Sequence, residues 1–224
     1  AEGDKCVADT IPFFSVEAVI IAEGNKETAE KYKGYPVFTA SESDMRQLSQ
    51  FQSLPDVMAV YKLPDLPVFP PEEYASGLTL MLDAVQDPGN LGTILRIASW
   101  FGVARVVIGS GSADPFNPKA VQSSMGAVGM VRFCLADIIP IIDGCPEVPV
   151  CGTLLDGADI YTASLTLPAF VVMGNEGQGL SDSVRRKVNI PLLIPSFASG
   201  PHAESLNVAA ATSVVVSEFM RRSE

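Results

Sequence analysis

The chain has 224 residues, 47% apolar and 18% charged, which supports a buried core and excludes a disordered chain. Its net charge of −11 argues against broad attraction to nucleic acid but leaves room for a focused site. No run reaches the roughly 20 unbroken apolar residues of a membrane span, and Ala1-Glu2-Gly3-Asp4-Lys5 lacks the basic start of a secretory signal.

These features predict a soluble cytoplasmic protein, and a first residue other than methionine predicts a start inside a longer one. Cys6, Cys134, Cys145 and Cys151 form no Cys-x-x-Cys pair and lie far from the single His202. They are expected as reduced core thiols, with no zinc site and no disulfide framework.

Residues 1–62 read as a small α/β domain. Val16–Ile21 is expected as a strand, Asn25–Lys33 as a helix closed by Gly34, and Val37–Thr39 as a short strand. Ser41–Phe51 reads as a helix with Ser41 as N-cap and Asp44 three residues on, and Val57–Tyr61 as another strand. Residues 63–76 carry Pro64, Pro67, Pro70 and Pro71, a density that removes backbone donors and favours a semi-rigid linker.

In residues 77–224 apolar strand-like runs alternate with helical segments. The strands are expected at Leu78–Asp83, Arg105–Ile108, Val131–Cys134, Val150–Leu155, Ala169–Met173 and Ile190–Ile194. The helices are expected at Thr93–Phe101, Lys119–Ser124, Leu180–Lys187 and Leu206–Arg222. Continuous apolar strands between helices are the pattern of a parallel sheet covered on both faces. Ligands of such sheets bind beyond the carboxyl ends of the strands.

Three strand ends stand out. Asp83 to Arg96 runs through Pro88-Gly89-Asn90 into a helix, and Arg96 could grip an anion bidentately, although a plain turn and cap would read the same way. Gly174-Asn175-Glu176-Gly177-Gln178-Gly179 brings backbone close to a ligand. It is no P-loop, and Glu176 would repel polyphosphate and suit a neutral or cationic ligand. Residues 194–211 form a small-residue loop that opens a helix, with Ser205 as the candidate N-cap. The Gly109-Ser110-Gly111 stretch places Asp114 where a dinucleotide fingerprint needs its third glycine, so it reads as a connecting loop.

In order and spacing the three loops resemble the motifs of the SpoU (TrmH-type) branch of the SPOUT methyltransferases. They are Asn90-x-Gly92-x-x-x-Arg96, Met173-Gly174-Asn175-Glu176-Gly177-x-Gly179-Leu180, and Glu204-Ser205-Leu206-Asn207-Val208-Ala209. Asp114 to Lys119 and Ser124 to Ala127 also look like this family, and the small domain resembles its ribosomal-protein-like substrate domain without the first elements.

The resemblance implies an α/β fold: a parallel-sheet catalytic domain with a C-terminal trefoil knot, preceded by the small α/β substrate (RNA)-binding domain. It also implies a homodimer, S-adenosylmethionine as cofactor, and methyl transfer to a ribose 2′-hydroxyl of tRNA or rRNA, with neither metal nor membrane involved. The catalytic residues it implies are Asn90, Arg96, Glu176, Ser205 and Asn207. Those expected around the cofactor are Leu154, Leu155, Met173, Gly174, Asn175, Gly177, Ile194, Ser205 and Leu206. In the family the arginine of the first motif is proposed to assist loss of the ribose proton. Because arginine stays protonated in proteins, holding phosphate and favouring the alkoxide is the more comfortable role.

The sequence departs from the family pattern in three places. Eight residues separate Pro195 from Glu204, a longer loop than usual, Ser196 stands where methionine is common, and Ala209 where serine is common. Two other readings share the fold: a catalytically inactive RNA-binding or assembly factor, and a SPOUT base methyltransferase.

Overall fold

The structure is a computed structural model and describes residues 1–222. Residues 223 and 224, the end of the expected 77–224 domain, lie outside the described residues.

In the small N-terminal unit, α1 (Asp4–Thr10), β1 (Val16–Ala22), α2 (Lys26–Lys31), β2 (Val37–Ala40), α3 (Glu42–Leu48) and β3 (Val57–Tyr61) follow one another. Its sheet has the order β2-β1-β3, with β1 parallel to β2 and antiparallel to β3. Helix α3 forms where expected because Ser41 and Asp44 make both halves of a capping box. It stops at Leu48, short of the expected Phe51, where the extended Ser49 turns its hydroxyl to Glu2, 2.6 Å away. Helix α1 was not expected. It buries Cys6, Val7 and Thr10, and Val7 joins Val19, Ile21, Tyr32, Val57 and Ala59 in a small core.

The Pro-rich segment is partly built into the large unit. A 3-10 turn spans Pro71–Ala75, and Phe69 and Tyr74 are buried against Met81, Val107 and Phe170. Glu73 pairs with Arg132 at 2.8 Å, and that guanidinium holds its carboxyl below the ordinary range. Nη1 of the buried Arg105 donates to the Ser76 carbonyl at 2.9 Å and to Thr79 Oγ1 at 3.1 Å. Phe69 between the prolines, and Glu73 and Tyr74 just after them, thus fix a stretch whose prolines cannot donate hydrogen bonds.

The large unit runs β4 (Leu78–Leu82), α4 (Pro88–Phe101), β5 (Arg105–Ile108), α5 (Pro118–Ser124), β6 (Phe133–Leu135), α6 (Ile138–Gly144), β7 (Val150–Asp159), β8 (Ala169–Met173), α7 (Asp182–Arg185), β9 (Ile190–Leu193) and α8 (Val208–Arg221). All its strand pairs are parallel, in the order β6-β5-β4-β8-β7-β9. Strands β4, β5 and β8 are buried along their whole length, as their unbroken apolar runs required.

Several elements differ from expectation, among them α4, which starts at Pro88 rather than Thr93, and β7, which runs to Asp159 rather than ending at Leu155. Helix α6 forms over the isoleucine-rich stretch 138–144, where no helix is expected from the sequence, and α7 has only four residues. Helix α8 starts at Val208 with Asn207, not Ser205, as its N-cap. The four cysteines are buried with free thiols, and burial pushes Cys134 up to about 11 and Cys151 to about 12.

Two features of the sheet position the site. The strand order reverses between β4 and β8, and crevices for ligands open at the carboxyl side of such switch points. The second feature is at β9, where Leu192 pairs with both Thr153 and Ala158 of β7. A strand residue can take two such partners only along its two edges, so residues 154–157 cross over β9. At the crossing a Cβ on Gly157 would lie 2.5 Å from the Leu192 carbonyl carbon, so only glycine fits there. The chain then returns to pack α8 on α4. A segment passing under a crossing loop is the local arrangement that a trefoil threading requires.

Candidate active site

The site is built at the switch point. Beyond β4, the buried Asp83 donates its N–H to the Met173 carbonyl at 2.8 Å, and its carboxylate accepts Ser181 N–H at 2.6 Å. Ala84 follows with φ of 56°, a left-handed conformation rarely adopted by a residue with a Cβ. That turn presents its carbonyl to Asn175 Nδ2 at 2.9 Å. The ends of β4 and β8 are therefore joined through both backbone and side chains.

Asp87 caps α4 by accepting Asn90 N–H at 2.8 Å, with Pro88 at the first helical position. Its carboxyl also pairs with Lys119 at 2.6 Å, and the ammonium, with the Asn90 N–H, holds it below the ordinary aspartate range. The loop after β8 closes on itself, with Asn175 and Gly179 exchanging backbone hydrogen bonds of 2.8 and 2.9 Å. Asn175 Oδ1 accepts Gly177 N–H at 2.9 Å and Gln178 N–H at 3.0 Å. A Cβ on Gly174 would come within 2.3 Å of the Gly179 backbone, so the loop can close only with glycine at 174. Asn207 Oδ1 accepts Ala209 N–H at 2.9 Å and Ala210 N–H at 3.3 Å, which satisfies the first turn of α8.

The three loops meet through side chains. Asn207 Nδ2 donates to Asn90 Oδ1 at 2.9 Å, and Asn90 Nδ2 donates to Glu176 Oε1 at 2.9 Å. Residues 90, 176 and 207 thus form one amide–amide–carboxylate chain. Both ends of the Asn90 amide are engaged, which fixes its orientation.

Two of the five residues expected to be catalytic stand apart from this chain. Arg96 is exposed and lies about 9 Å further along α4, at six residues of 1.5 Å rise. Ser205 is exposed in the turn before α8, beside the exposed Glu204.

Of the residues expected around the cofactor, Leu154 and Leu155 lie within β7, Met173 ends β8, Gly174, Asn175 and Gly177 follow it, Ile194 follows β9, and Ser205 and Leu206 precede α8. Leu154 and Ile194 are half-buried, and Leu155, Gly177 and Leu206 are exposed. The Met173 side chain is buried in the main core, and its carbonyl accepts the Asp83 N–H. Beside the site an open cleft of about 520 Å³ lies beyond β5 and β6, lined by residues 108–115 and 135–137. Sequence reasoning assigned no role to Asp83, or to Asp87 with Lys119. An acidic residue after a buried strand and a lysine 32 positions away carry no local signal of pairing.

The donor set fits S-adenosylmethionine. Exposed apolar side chains at 155 and 206 can contact an adenine, a glycine-rich loop lets main chain approach a ligand closely, and the Glu176 carboxylate suits a sulfonium. Among the described residues no group of three or more His, Cys, Asp or Glu side chains could hold a metal ion.

A parallel sheet with its crevice at the β4/β8 switch point and a crossing loop over its last strand defines the SPOUT class of α/β proteins. The model of the SpoU rRNA Methylase family matches residues 77–217, and the chain belongs to that family. Among curated relatives, the Bacillus subtilis 23S rRNA (guanosine(2553)-2′-O)-methyltransferase RlmP is 30% identical over 206 residues, covering 90% of this chain and 79% of that one. A solved TrmH-family structure from Porphyromonas gingivalis is 40% identical with a TM-score of 0.83, covering 100% of this chain and 89% of its own. The AdoMet-bound rRNA methyltransferase from Sinorhizobium meliloti is 27% identical with a TM-score of 0.81, covering 99% and 86%.

Proposed function

We propose that this chain is an RNA methyltransferase that uses S-adenosylmethionine to methylate a ribose 2′-hydroxyl of rRNA or tRNA. The observation that carries the reading is the Asn90–Glu176–Asn207 chain, which ties the three family motifs together at the sheet's switch point. The ribose specificity of the Bacillus subtilis relative and the AdoMet-bound Sinorhizobium meliloti structure support the reaction and the cofactor.

The cofactor is held by Leu154, Leu155 and Leu206 through apolar contact, by Met173, Gly174, Asn175 and Gly177 at the tight loop after β8, by Ile194 after β9, and by Ser205 at the rim. When bound, S-adenosylmethionine supplies an electrophilic methyl group on a sulfonium. Asn90, held by Glu176 and Asn207, orients the ribose so that its 2′-oxygen is aligned for in-line attack. Arg96 holds the RNA phosphate and favours the developing alkoxide. Its distance along α4 from Asn90 suits contact with the substrate rather than with the amide chain.

The assembly is a homodimer, and residues 1–62, joined by residues 63–76 to the catalytic domain at 77–224, hold the RNA. The enzyme works in the cytoplasm. Among the described residues no helix is long and apolar enough to cross a membrane.

The test is incubation with methyl-labelled S-adenosylmethionine and unmodified ribosomal or transfer RNA, followed by digestion to nucleosides and mass analysis. A 2′-O-methylnucleoside is expected. A base-methylated nucleoside, or no label with any RNA, overturns the reading. Arg96→Ala is expected to abolish transfer while S-adenosylhomocysteine affinity and the sedimentation coefficient stay unchanged. Full activity in that variant removes Arg96 from the mechanism.

A further inference from the structure

The loop that leads from β9 to Asn207 carries an exposed aromatic side chain that the site described so far does not use. Phe197 is 83% exposed, and Tyr161, beyond the end of β7, is 42% exposed. Their ring centroids lie 6.2 Å apart with planes inclined by 32°.

The two rings are held differently. Tyr161 sits on a fixed base. Its N–H binds Asp159 Oδ1 at 2.8 Å, and the adjacent Ile160 is fully buried and donates to the Leu193 carbonyl at 2.9 Å. Arg222 reaches the carbonyls of Ile160 and Ala163 at 2.9 and 2.6 Å. Phe197 lies in a stretch of small residues, Ser196-Phe197-Ala198-Ser199-Gly200, whose hydrogen bonds are local, from Ala198 N–H to Ser196 Oγ and between His202 Nδ1 and the Gly200 carbonyl. One ring is anchored to the sheet and the other rides on a loop of small residues held by local hydrogen bonds.

We propose that Tyr161 and Phe197 form a stacking clamp for an unpaired nucleobase of the RNA substrate. The inference rests on the RNA methyltransferase reading and extends it to how the substrate is held. Aromatic carbons in contact lie about 3.5 Å apart, so a base between two rings needs about 7 Å. The observed spacing is within about 1 Å of that, an opening the small-residue loop can supply.

The charge of the chain points the same way. At −11 it offers few phosphate contacts, so stacking, which is indifferent to net charge, carries a larger share of RNA affinity. Single-stranded loops and bulges, with bases free to stack on aromatic side chains, are the usual targets of sequence-specific RNA recognition. A second copy of the chain is the poorer occupant. Two rings among serines, alanines and glycines fall far short of the roughly 800 Å² per partner that a stable interface buries.

The test compares wild type, Phe197→Ala, Tyr161→Ala and Phe197→Trp. Fluorescence anisotropy reads binding of a labelled single-stranded 12-nucleotide RNA of mixed sequence and of the matching duplex. Calorimetry with S-adenosylhomocysteine and sedimentation are run on the same samples. Each alanine variant is expected to weaken single-strand binding about tenfold, with duplex binding, cofactor affinity and sedimentation unchanged, and Phe197→Trp to restore it.

Equal single-strand affinity in all four proteins overturns the clamp, as does a wild type that binds S-adenosylhomocysteine but not the single strand. Altered sedimentation in the alanine variants assigns the pair to an interface between copies, and lost cofactor affinity assigns it to the cofactor pocket; either result overturns the clamp. A wild type that binds neither S-adenosylhomocysteine nor RNA overturns the methyltransferase reading itself.

Discussion

Asn207 uses one amide for two purposes: its oxygen caps α8 and its nitrogen reaches Asn90. Two substitutions separate them. Asn207→Asp keeps the capping oxygen and loses the donor, which sets a carboxylate against Asn90 Oδ1. Methyl transfer is expected to fall at least about tenfold, with stability within about 0.5 kcal/mol of wild type, since aspartate and asparagine cap comparably. Asn207→Ala removes both functions and is expected to cost about 1 kcal/mol of stability as well. Thermal melts beside kcat/KM read the difference, and equal activity in wild type and Asn207→Asp would remove the amide chain from the mechanism.

The sequence reading had Asn207 in the site and Ser205 as the cap. A serine two residues before an asparagine offers a similar capping oxygen, and only the backbone path of the loop decides which one meets the free N–H groups of α8.

At the scale of elements, the N-terminus of α4 depends on Asp87. Its carboxyl is held below the ordinary aspartate range by Lys119 and by the Asn90 N–H, so its contribution to stability is fully present above the unfolded value. That contribution is lost as pH falls from the ordinary aspartate range through the lower native value. The protection of the Asn90 and Leu91 amides, relative to their intrinsic exchange rate at each pH, is expected to fall across that acid window in the wild type. In Asp87→Asn, which caps without titrating, protection is expected to show no such step. Identical profiles would show that the carboxylate does not hold the helix start.

Elements whose signals are local were legible: the Ser41–Asp44 capping box, and the unbroken apolar runs of β4, β5 and β8. Helices α1 and α6 were not. Each is seven residues long, and such short helices form through the surfaces they pack against rather than through their own propensity. The same reasoning accounts for the ten-residue β7, whose second half pairs only because β9 passes beneath it.

In the whole molecule, the crossing at Gly157 controls how the chain closes. A side chain at 157 would collide with the Leu192 backbone, and no rotamer relieves a contact with main chain. Gly157→Val is expected to leave the N-terminal unit folded and to prevent the C-terminal segment from seating. Refolding from denaturant would then recover no S-adenosylhomocysteine binding, whereas recovery at the wild-type rate would show that the crossing is not tight.

The two units also meet closely. Phe14 packs on Tyr61 and Phe116 at centroid distances of 5.4 and 6.3 Å, and Gly129 leaves room for the Phe13 ring. The small unit is therefore seated against the catalytic one.

By itself the sequence determined the alternation of buried strands and helices and the three motif loops with their order, and it is the resemblance of those motifs to a known family that carried the expected chemistry. The alternation is written in local hydrophobic patterning, which acts over a few residues at a time. Tertiary structure alone decided that Asn90, Glu176 and Asn207 join in one hydrogen-bonded chain while Arg96 stands a turn and a half or more away. It alone decided that Asp83 ties β4 to the loop after β8, that residues 154–157 cross β9, and that Tyr161 faces Phe197. Each of these joins residues tens of positions apart, and such pairings depend on sheet order and on the path of the chain between strands, which no local pattern of residues records.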